Sequence, residues 1–396
     1  MQMSLIMITG AVVATSPPVK KLLRRVARVP GSKLGAFALL MLVSWVLYWI
    51  HWGVGMMVSI FLGREILAAA REKGYKVHAN ALISASYCMA IPGVGISQAA
   101  PLLGATGGYL KSLVVSDAAK AYVPDVIPMS QSVLSPMNLL LCLVLFLIIC
   151  TVGWILHPRQ EEAIQGIGDT LYAEIRSADN AVTRGKAATP AEWINNSPLL
   201  NMIIGIFGLI YVIRLFALSG FMNISINNFN FMLMMLGVIL CGTPESFCKG
   251  VIAAVNTVWG VIIQFPFYAG IFGMIAYTGF SEVIVNFFMT IATRETFPVI
   301  TYIYSAILNM AVPSGGSKFA IEAPYLLDVC SRLNIDVGKI LCIYTFGDQT
   351  TNIIQPFWAL PYLAMYKIDF KDILPFTLPI CIAALCICSL FFVTVF

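Results

Sequence analysis

Two short stretches, Ala90-Ile91-Pro92-Gly93-Val94-Gly95 and Ala311-Val312-Pro313-Ser314-Gly315-Gly316, decide how this sequence is read. Each sets Pro and Gly between apolar runs. Ala100-Pro101-Leu102-Leu103 follows the first, and Ala323-Pro324-Tyr325-Leu326-Leu327 follows the second. Beyond these, Ser130-Gln131-Ser132 leads to Pro136, and Asp348-Gln349-Thr350 leads to Pro356. An earlier pair, Ala14-Thr15-Ser16-Pro17-Pro18 and Cys241-Gly242-Thr243-Pro244, precedes them all. Apolar tracts align with one another by chance, but Pro- and Gly-bearing landmarks kept in one order do not. The chain therefore reads as an internal repeat, with a first unit over 1–156, a hydrophilic linker over 157–197 and a second unit over 198–396.

The solvent around these repeats is lipid. Of the 396 residues 59% are hydrophobic and 11% charged, with a mean hydropathy of +0.86, which leaves too little polar surface to coat soluble domains. Leu34 to Ile50, Val133 to Leu156, Pro198 to Leu218, Val251 to Tyr277 and Leu374 to Phe396 approach or exceed the roughly 20 residues that cross a hydrocarbon core. They lack the two-residue alternation of barrel strands, so they predict helices. The expected fold is an all-α polytopic membrane protein of two inverted repeats, each with a re-entrant hairpin and a broken transmembrane helix.

Six basic residues, Lys20, Lys21, Arg24, Arg25, Arg28 and Lys33, crowd one acid-free loop, and the positive-inside rule places it in the cytoplasm. The same cluster between membrane segments argues topology rather than nucleic-acid binding. The apolar start, Met1 to Thr15, has its charges after it rather than before it, unlike a secretory signal; it is short for a span and reads as a half-helix or the remainder of a longer hydrophobic start. In the linker, Ile164, Ile167, Leu171 and Ile175 recur at spacings of three and four, which fits an amphipathic surface helix as well as a plain connector. The ten cysteines form no C-x-x-C pair, and Cys142, Cys150, Cys381, Cys386 and Cys388 sit in apolar runs as small hydrophobes.

Gly and Pro in a membrane segment free backbone groups that hydrocarbon cannot satisfy, so such breaks persist where they are buried or line a cavity. The runs flanking Pro92 to Ala100 and Pro313 to Glu322 are each about half a membrane long, which predicts two re-entrant hairpins with polar turns. The turns offer Gly95, Ser97 and Gln98 in the first unit and Ser314, Gly315, Gly316, Ser317, Lys318 and Glu322 in the second. Small residues, hydroxyls and helix N-termini suit a carboxylate or a cation; close helix packing is the plainer reading. Lys318 and Glu322, four apart, either pair across one turn or leave Lys318 to face an anion.

The most polar membrane segment runs from Gly347 through Asp348, Gln349, Thr350, Thr351, Asn352 and Gln355 to Trp358. An acid at that depth is expensive unless it has a function. Asp348, with Gln349, Thr350 and Glu322, is expected to couple transport to an ion, by binding sodium with nearby carbonyls or by carrying a proton; capping a broken helix is the alternative. Gln131, Asn352 and Gln355 complete the expected substrate contacts. His51-Trp52-Gly53 and Gln264-Phe265-Pro266-Phe267-Tyr268 wall a cavity or kink helices, and His51 reads as an interfacial histidine.

No H-E-x-x-H or complete phosphate loop occurs, so an enzyme is not expected. The segments Val312 to Gly316, Gly347-Asp348-Gln349 with Asn352, Gln355-Pro356-Phe357-Trp358-Ala359-Leu360-Pro361 and Gln264 to Ile271 closely resemble the bacterial short-chain fatty acid transporter family, over essentially the whole chain. The family is similar to a wider superfamily of carboxylate carriers with inverted repeats, two hairpins and elevator-like motion. It implies ion-coupled carriage of acetoacetate, butyrate or related monocarboxylates across the bacterial cytoplasmic (inner) membrane. No organic cofactor or bound metal is implied, only H⁺ or Na⁺ as coupling ion; the expected partners are the carboxylate, the lipid bilayer and a second copy of the chain, and not nucleic acid. An anion channel, or a carrier for another organic anion such as a dicarboxylate, is the competing reading. This chain departs from the family pattern at its late start, at a first tip with less glycine, and at Ser317, Lys318, Phe319 and Glu322, where the family carries a further Gly, His or Gln, Trp, and Gln.

Overall fold

The structure, a computed structural model, describes residues 2–160, 164–177, 189–219, 226–255 and 277–395, with isolated positions between 256 and 276. Gln264, Phe265 and Tyr268, and most of the span expected over 251–277, lie outside the described residues. Among the described residues every regular element is helical.

The first part comprises α1 (Gln2–Thr15), α2 (Pro17–Ala27), α3 (Lys33–Ile50), α4 (Trp52–Glu72), α5 (Ala79–Cys88), α6 (Ala99–Gly104), α7 (Tyr109–Leu113), α8 (Asp117–Tyr122) and α9 (Pro136–Ile155). Between the halves lie α10 (Asp169–Ser177) and α11 (Pro190–Asn196). The second part comprises α12 (Leu199–Ser219), α13 (Ile226–Cys241), α14 (Pro244–Val255), α15 (Phe280–Ile291), α16 (Phe297–Ala311), α17 (Gly315–Leu333), α18 (Val337–Asn352), α19 (Pro356–Tyr366) and α20 (Phe370–Val395).

Five of these helices are long and apolar enough to cross a membrane: α3, α4, α9, α12 and α20. Their outward faces are what lipid requires, because Leu140, Leu147, Phe207, Ile213 and Leu390 are each more than half exposed and apolar. α4 was not among the apolar runs legible in the sequence. It carries Arg64, Glu65, Arg71 and Glu72 and is mostly buried inside the molecule, so protein rather than lipid covers it.

Three local expectations are corrected. The basic stretch is not a loop: Pro17 at the first position starts α2, which buries Leu23 and Ala27 and turns its charges outward. The polar stretch from Pro313 to Glu322 is a turn only as far as Ser314, and α17 begins at Gly315, so Ser317, Lys318 and Glu322 stand on its first two turns. In the linker only Leu171 and Ile175 of the apolar set lie on a helix, α10; they are buried, and the helix packs on α4.

That docking is electrostatic at its rim. Arg176 reaches Glu65 at 3.0 Å and Glu72 at 2.7 Å, Arg71 reaches Asp169 at 2.5 Å, and Glu174 lies between Arg64 at 2.8 Å and Lys367 at 2.5 Å. Arg24 of α2 joins through Glu65 at 3.5 Å. The basic helix and the linker helix thus share one end of the molecule.

The centre is built around α16 and α18. Gly347 lets them touch: a Cβ there would lie 2.3 Å from the Tyr302 carbonyl oxygen. α18 ends at Asn352 because Pro356 cannot continue it; Gln355 caps the next helix by accepting from the Phe357 N–H at 2.6 Å. The helix therefore breaks over residues 353–355, one turn beyond Asp348, which lies within α18 and caps nothing.

Candidate functional site

The two hairpin turns meet at one cavity. It is lined by Gln98 and Ala99 from the first, by Pro313 to Gly316 from the second, and by Asp348, Gln349 and Asn352 of α18. The Gln98 side chain donates to its own turn at the Gly93 carbonyl (3.2 Å), and its Oε1 accepts from Gln349 Nε2 at 3.2 Å, which ties the two halves together. The opposite wall is apolar and aromatic: Met7, Met56, Trp52, Phe357 and Trp358, with Tyr48 and Tyr87 beside them. Trp52 and Trp358 meet edge to face at 5.6 Å.

The cavity offers ≈ 80 Å³ to water-sized groups, room for several of them. Its lining combines polar groups from both turns and α18 with apolar and aromatic side chains, a mixture that suits a short carboxylate. α17 presents its N-terminus to this cavity, where Ser314 provides no side-chain cap and the positive end of the helix dipole lies in the cavity wall. Gly315 sits tightly there: a Cβ would lie 2.8 Å from Asp348 Oδ2, so the carboxylate or the helix start would have to shift.

Behind this wall lies a sealed ionic cluster. Lys318 is fully buried; its Nζ donates to the Ser305 carbonyl at 2.8 Å and Ser305 Oγ at 2.9 Å, and lies 3.1 Å from Asp348 Oδ1. The last contact is an ion pair by distance but is poorly aligned as a hydrogen bond, so Oδ1 is otherwise unpaired. The Tyr344 ring, 4.7 Å away, offers its face to the same ammonium. Lys318 therefore pairs with Asp348 and not with Glu322 one turn along, and it does not line the cavity. Glu322 is also fully buried; the Tyr344 hydroxyl is its polar neighbour, without the geometry of a well-formed hydrogen bond.

The structure brings Gln98, Ser314, Gly315, Gly316, Asp348, Gln349 and Asn352 together at the cavity. It places other expected site residues elsewhere. Gly95 packs on the Trp49 carbonyl. Ser97 accepts from the Trp52 N–H at 2.8 Å, and Gln355 caps α19. Gln131 is exposed in a 3-10 turn, while Ser317 stands on α17 outside the cavity lining. Thr350 faces away, bonded to Tyr302 at 3.0 Å. His51 is not interfacial: it is buried and caps α4, its Nδ1 accepting from the Val54 N–H at 3.1 Å.

Several residues at the site were not singled out from sequence. Asn309 grips the end of α18 through Nδ2, at 3.0 Å from the Asp348 carbonyl and Thr351 Oγ1 and 2.7 Å from Asn352 Oδ1. Its signal was an amide alone in an apolar run, which membrane segments rarely tolerate without use. Tyr87 donates to the Asn352 carbonyl at 2.7 Å, and Trp358 keeps a buried, unpartnered indole N–H beside the cavity. Among the described residues no three His, Cys, Asp or Glu side chains converge as metal ligands.

Residues 1–396 match in full the family described as Short chain fatty acid transporter. The chain belongs to that family. Among short-chain fatty acid transporter relatives, a protein of Escherichia coli (strain K12) named for that transport is 33% identical over 99% of this chain and 85% of its own length. One from Haemophilus influenzae, named likewise, is 32% identical over 95% and 82%. The fold is also that of a solved transporter, Alcanivorax borkumensis YdaH, described as having an unusual topology: TM-score 0.57 at 15% identity, covering 99% of this chain and 84% of that one. The chain is thus a multi-pass membrane protein of a transporter family and not an enzyme.

Proposed function

We propose that this protein is an ion-coupled secondary carrier for short-chain monocarboxylates, acetoacetate and butyrate among them, working by alternating access in the bacterial cytoplasmic membrane. One observation carries the reading: two hairpin turns meet at a small cavity whose lining joins polar groups and the start of α17 to apolar and aromatic side chains. Hairpins that meet end to end at a buried site suit units 1–156 and 198–396 related as inverted repeats, with 157–197 linking them on the cytoplasmic side beside α2.

The test is uptake of labelled acetoacetate and butyrate into proteoliposomes against protein-free liposomes. Saturable uptake, and exchange of internal for external substrate, are the expected results. A conductance that does not saturate, or no protein-dependent flux of any short carboxylate, would overturn the proposal.

A further inference from the structure

A carrier that coordinates a loose coupling cation needs a vacant cluster of oxygens, yet the oxygens best placed for one here are already occupied. The Ser305 carbonyl and Oγ, and Asp348 Oδ1, surround the Lys318 ammonium at 2.8, 2.9 and 3.1 Å, in a place without solvent exposure. The ammonium donates to both Ser305 oxygens and rests against Asp348 Oδ1 as an ion pair. The cation of this site is part of the chain.

The balance of charge then follows. One ammonium stands with two buried carboxyls, Asp348 and Glu322. An ionised carboxylate inside protein is tolerated only when paired. Asp348 has Lys318 as its partner; Glu322, with the Tyr344 hydroxyl beside it and no ion pair to a cation among the described residues, holds its proton. The titratable groups facing these carboxyls are Tyr344 of α18, Tyr304 of α16 and Tyr325 of α17, with Tyr48 and Tyr87 across the cavity, and they supply no second cation. Of the other helices packed on α17 and α18, α6 carries no charged residue, and no charge on α7, α8, α15 or α20 acts on either carboxyl. In this state the cluster is neutral.

A carboxylate anion entering beside Gly315 and Asp348 would bring one uncompensated negative charge. Among the described residues only Asp348 both lines the cavity and pairs with Lys318. We infer that Lys318 is a tethered cation in place of a coupling sodium ion, and that each monocarboxylate anion travels with one proton, taken up on the Asp348 carboxylate. The proton passes from bulk hydronium to an Asp348 oxygen and leaves water behind; Lys318 then offsets the substrate's charge instead of the aspartate's. Release on the far side reverses both steps. Empty and loaded sites are equally neutral, so transport is electroneutral and independent of sodium. This rests on the carrier reading above.

The experiment uses the full chain in proteoliposomes with labelled acetoacetate, a stronger acid than butyrate that leaks less through lipid, and protein-free liposomes as blank. Exchange of internal for external acetoacetate reports the carrier itself; its absence in the wild type would overturn the carrier reading rather than the coupling. Given exchange, an inward proton gradient should drive accumulation, with no change when sodium is replaced by choline and none when valinomycin and potassium impose a membrane potential. Accumulation that needs sodium, or that follows the potential, overturns the inference while leaving the carrier intact. Asp348→Asn should lose proton-driven accumulation by about 100-fold or more, because an empty site with unpaired Lys318 is an uncompensated buried charge. Undiminished proton-driven accumulation in that variant also overturns it. The wild-type measurements decide the matter even if the variant does not fold.

Discussion

At the scale of single residues, the closest tolerance in the site belongs to Gly315. Any Cβ there lies 2.8 Å from Asp348 Oδ2, so the helix start or the carboxylate must move. Overpacking of this kind costs about 1–3 kcal/mol, which predicts that Gly315→Ala raises the KM for acetoacetate roughly 10-fold or more without loss of the folded protein. Size-exclusion behaviour and uptake kinetics measured on the same preparation check this, and an unchanged KM would show that substrate does not approach the start of α17. Gly315 could be singled out in the sequence because a small residue beside Pro313 in an apolar setting has few other uses. Asp348 was legible for its cost in lipid. That Lys318 would turn away from the cavity toward Ser305 was not legible, since spacing within one helix offers Glu322 as partner and only the packing of α16 against α18 brings Ser305 and Asp348 nearer.

Among elements, the long apolar helices α3, α9, α12 and α20 follow directly from hydropathy, whereas α4 does not. Its Arg64, Glu65, Arg71 and Glu72 interrupt the apolar run, and the reason they are allowed there is α10, a helix from a distant stretch of chain. Glu174 is central to that docking. Hydrogen bonding from the Lys367 ammonium, and then from the Arg64 guanidinium, holds its carboxyl below the ordinary value of 4.5. For a carboxyl with a depressed folded value, the stabilisation is complete above the ordinary value and is lost as pH falls through the folded one. Amide exchange over residues 169–177, corrected for intrinsic rates, should therefore show level protection from neutral pH down to about 4.5, and declining protection below it. Glu174→Gln should flatten the acid limb. Since the Glu174 side chain is 43% exposed, solvent and salt screen these pairs, and the effect should shrink at high ionic strength.

Across the whole molecule the two halves divide the work unequally. Every charged side chain at the site, Lys318, Glu322 and Asp348, comes from the second half, while the first contributes the neutral groups Gln98, Tyr48, Tyr87 and Trp52. The repeated Pro and Gly landmarks made the pairing of the hairpins readable; the unequal division needed the tertiary contacts, because Gln131 and Ser97, polar in sequence, face elsewhere in the fold. If the second half manages charge and the first manages fit, substitutions in the two halves should separate affinity from coupling. Gln98→Ala removes the bonds to Gln349 and to the Gly93 carbonyl, a loss of about 1–3 kcal/mol where buried partners go unsatisfied. Acetoacetate should then bind roughly 10-fold or more weakly, yet the ratio of accumulation with and without a proton gradient should equal that of the wild type. A Gln98→Ala protein that keeps its affinity but loses proton dependence would place coupling in the first half and reverse the division argued from the charges.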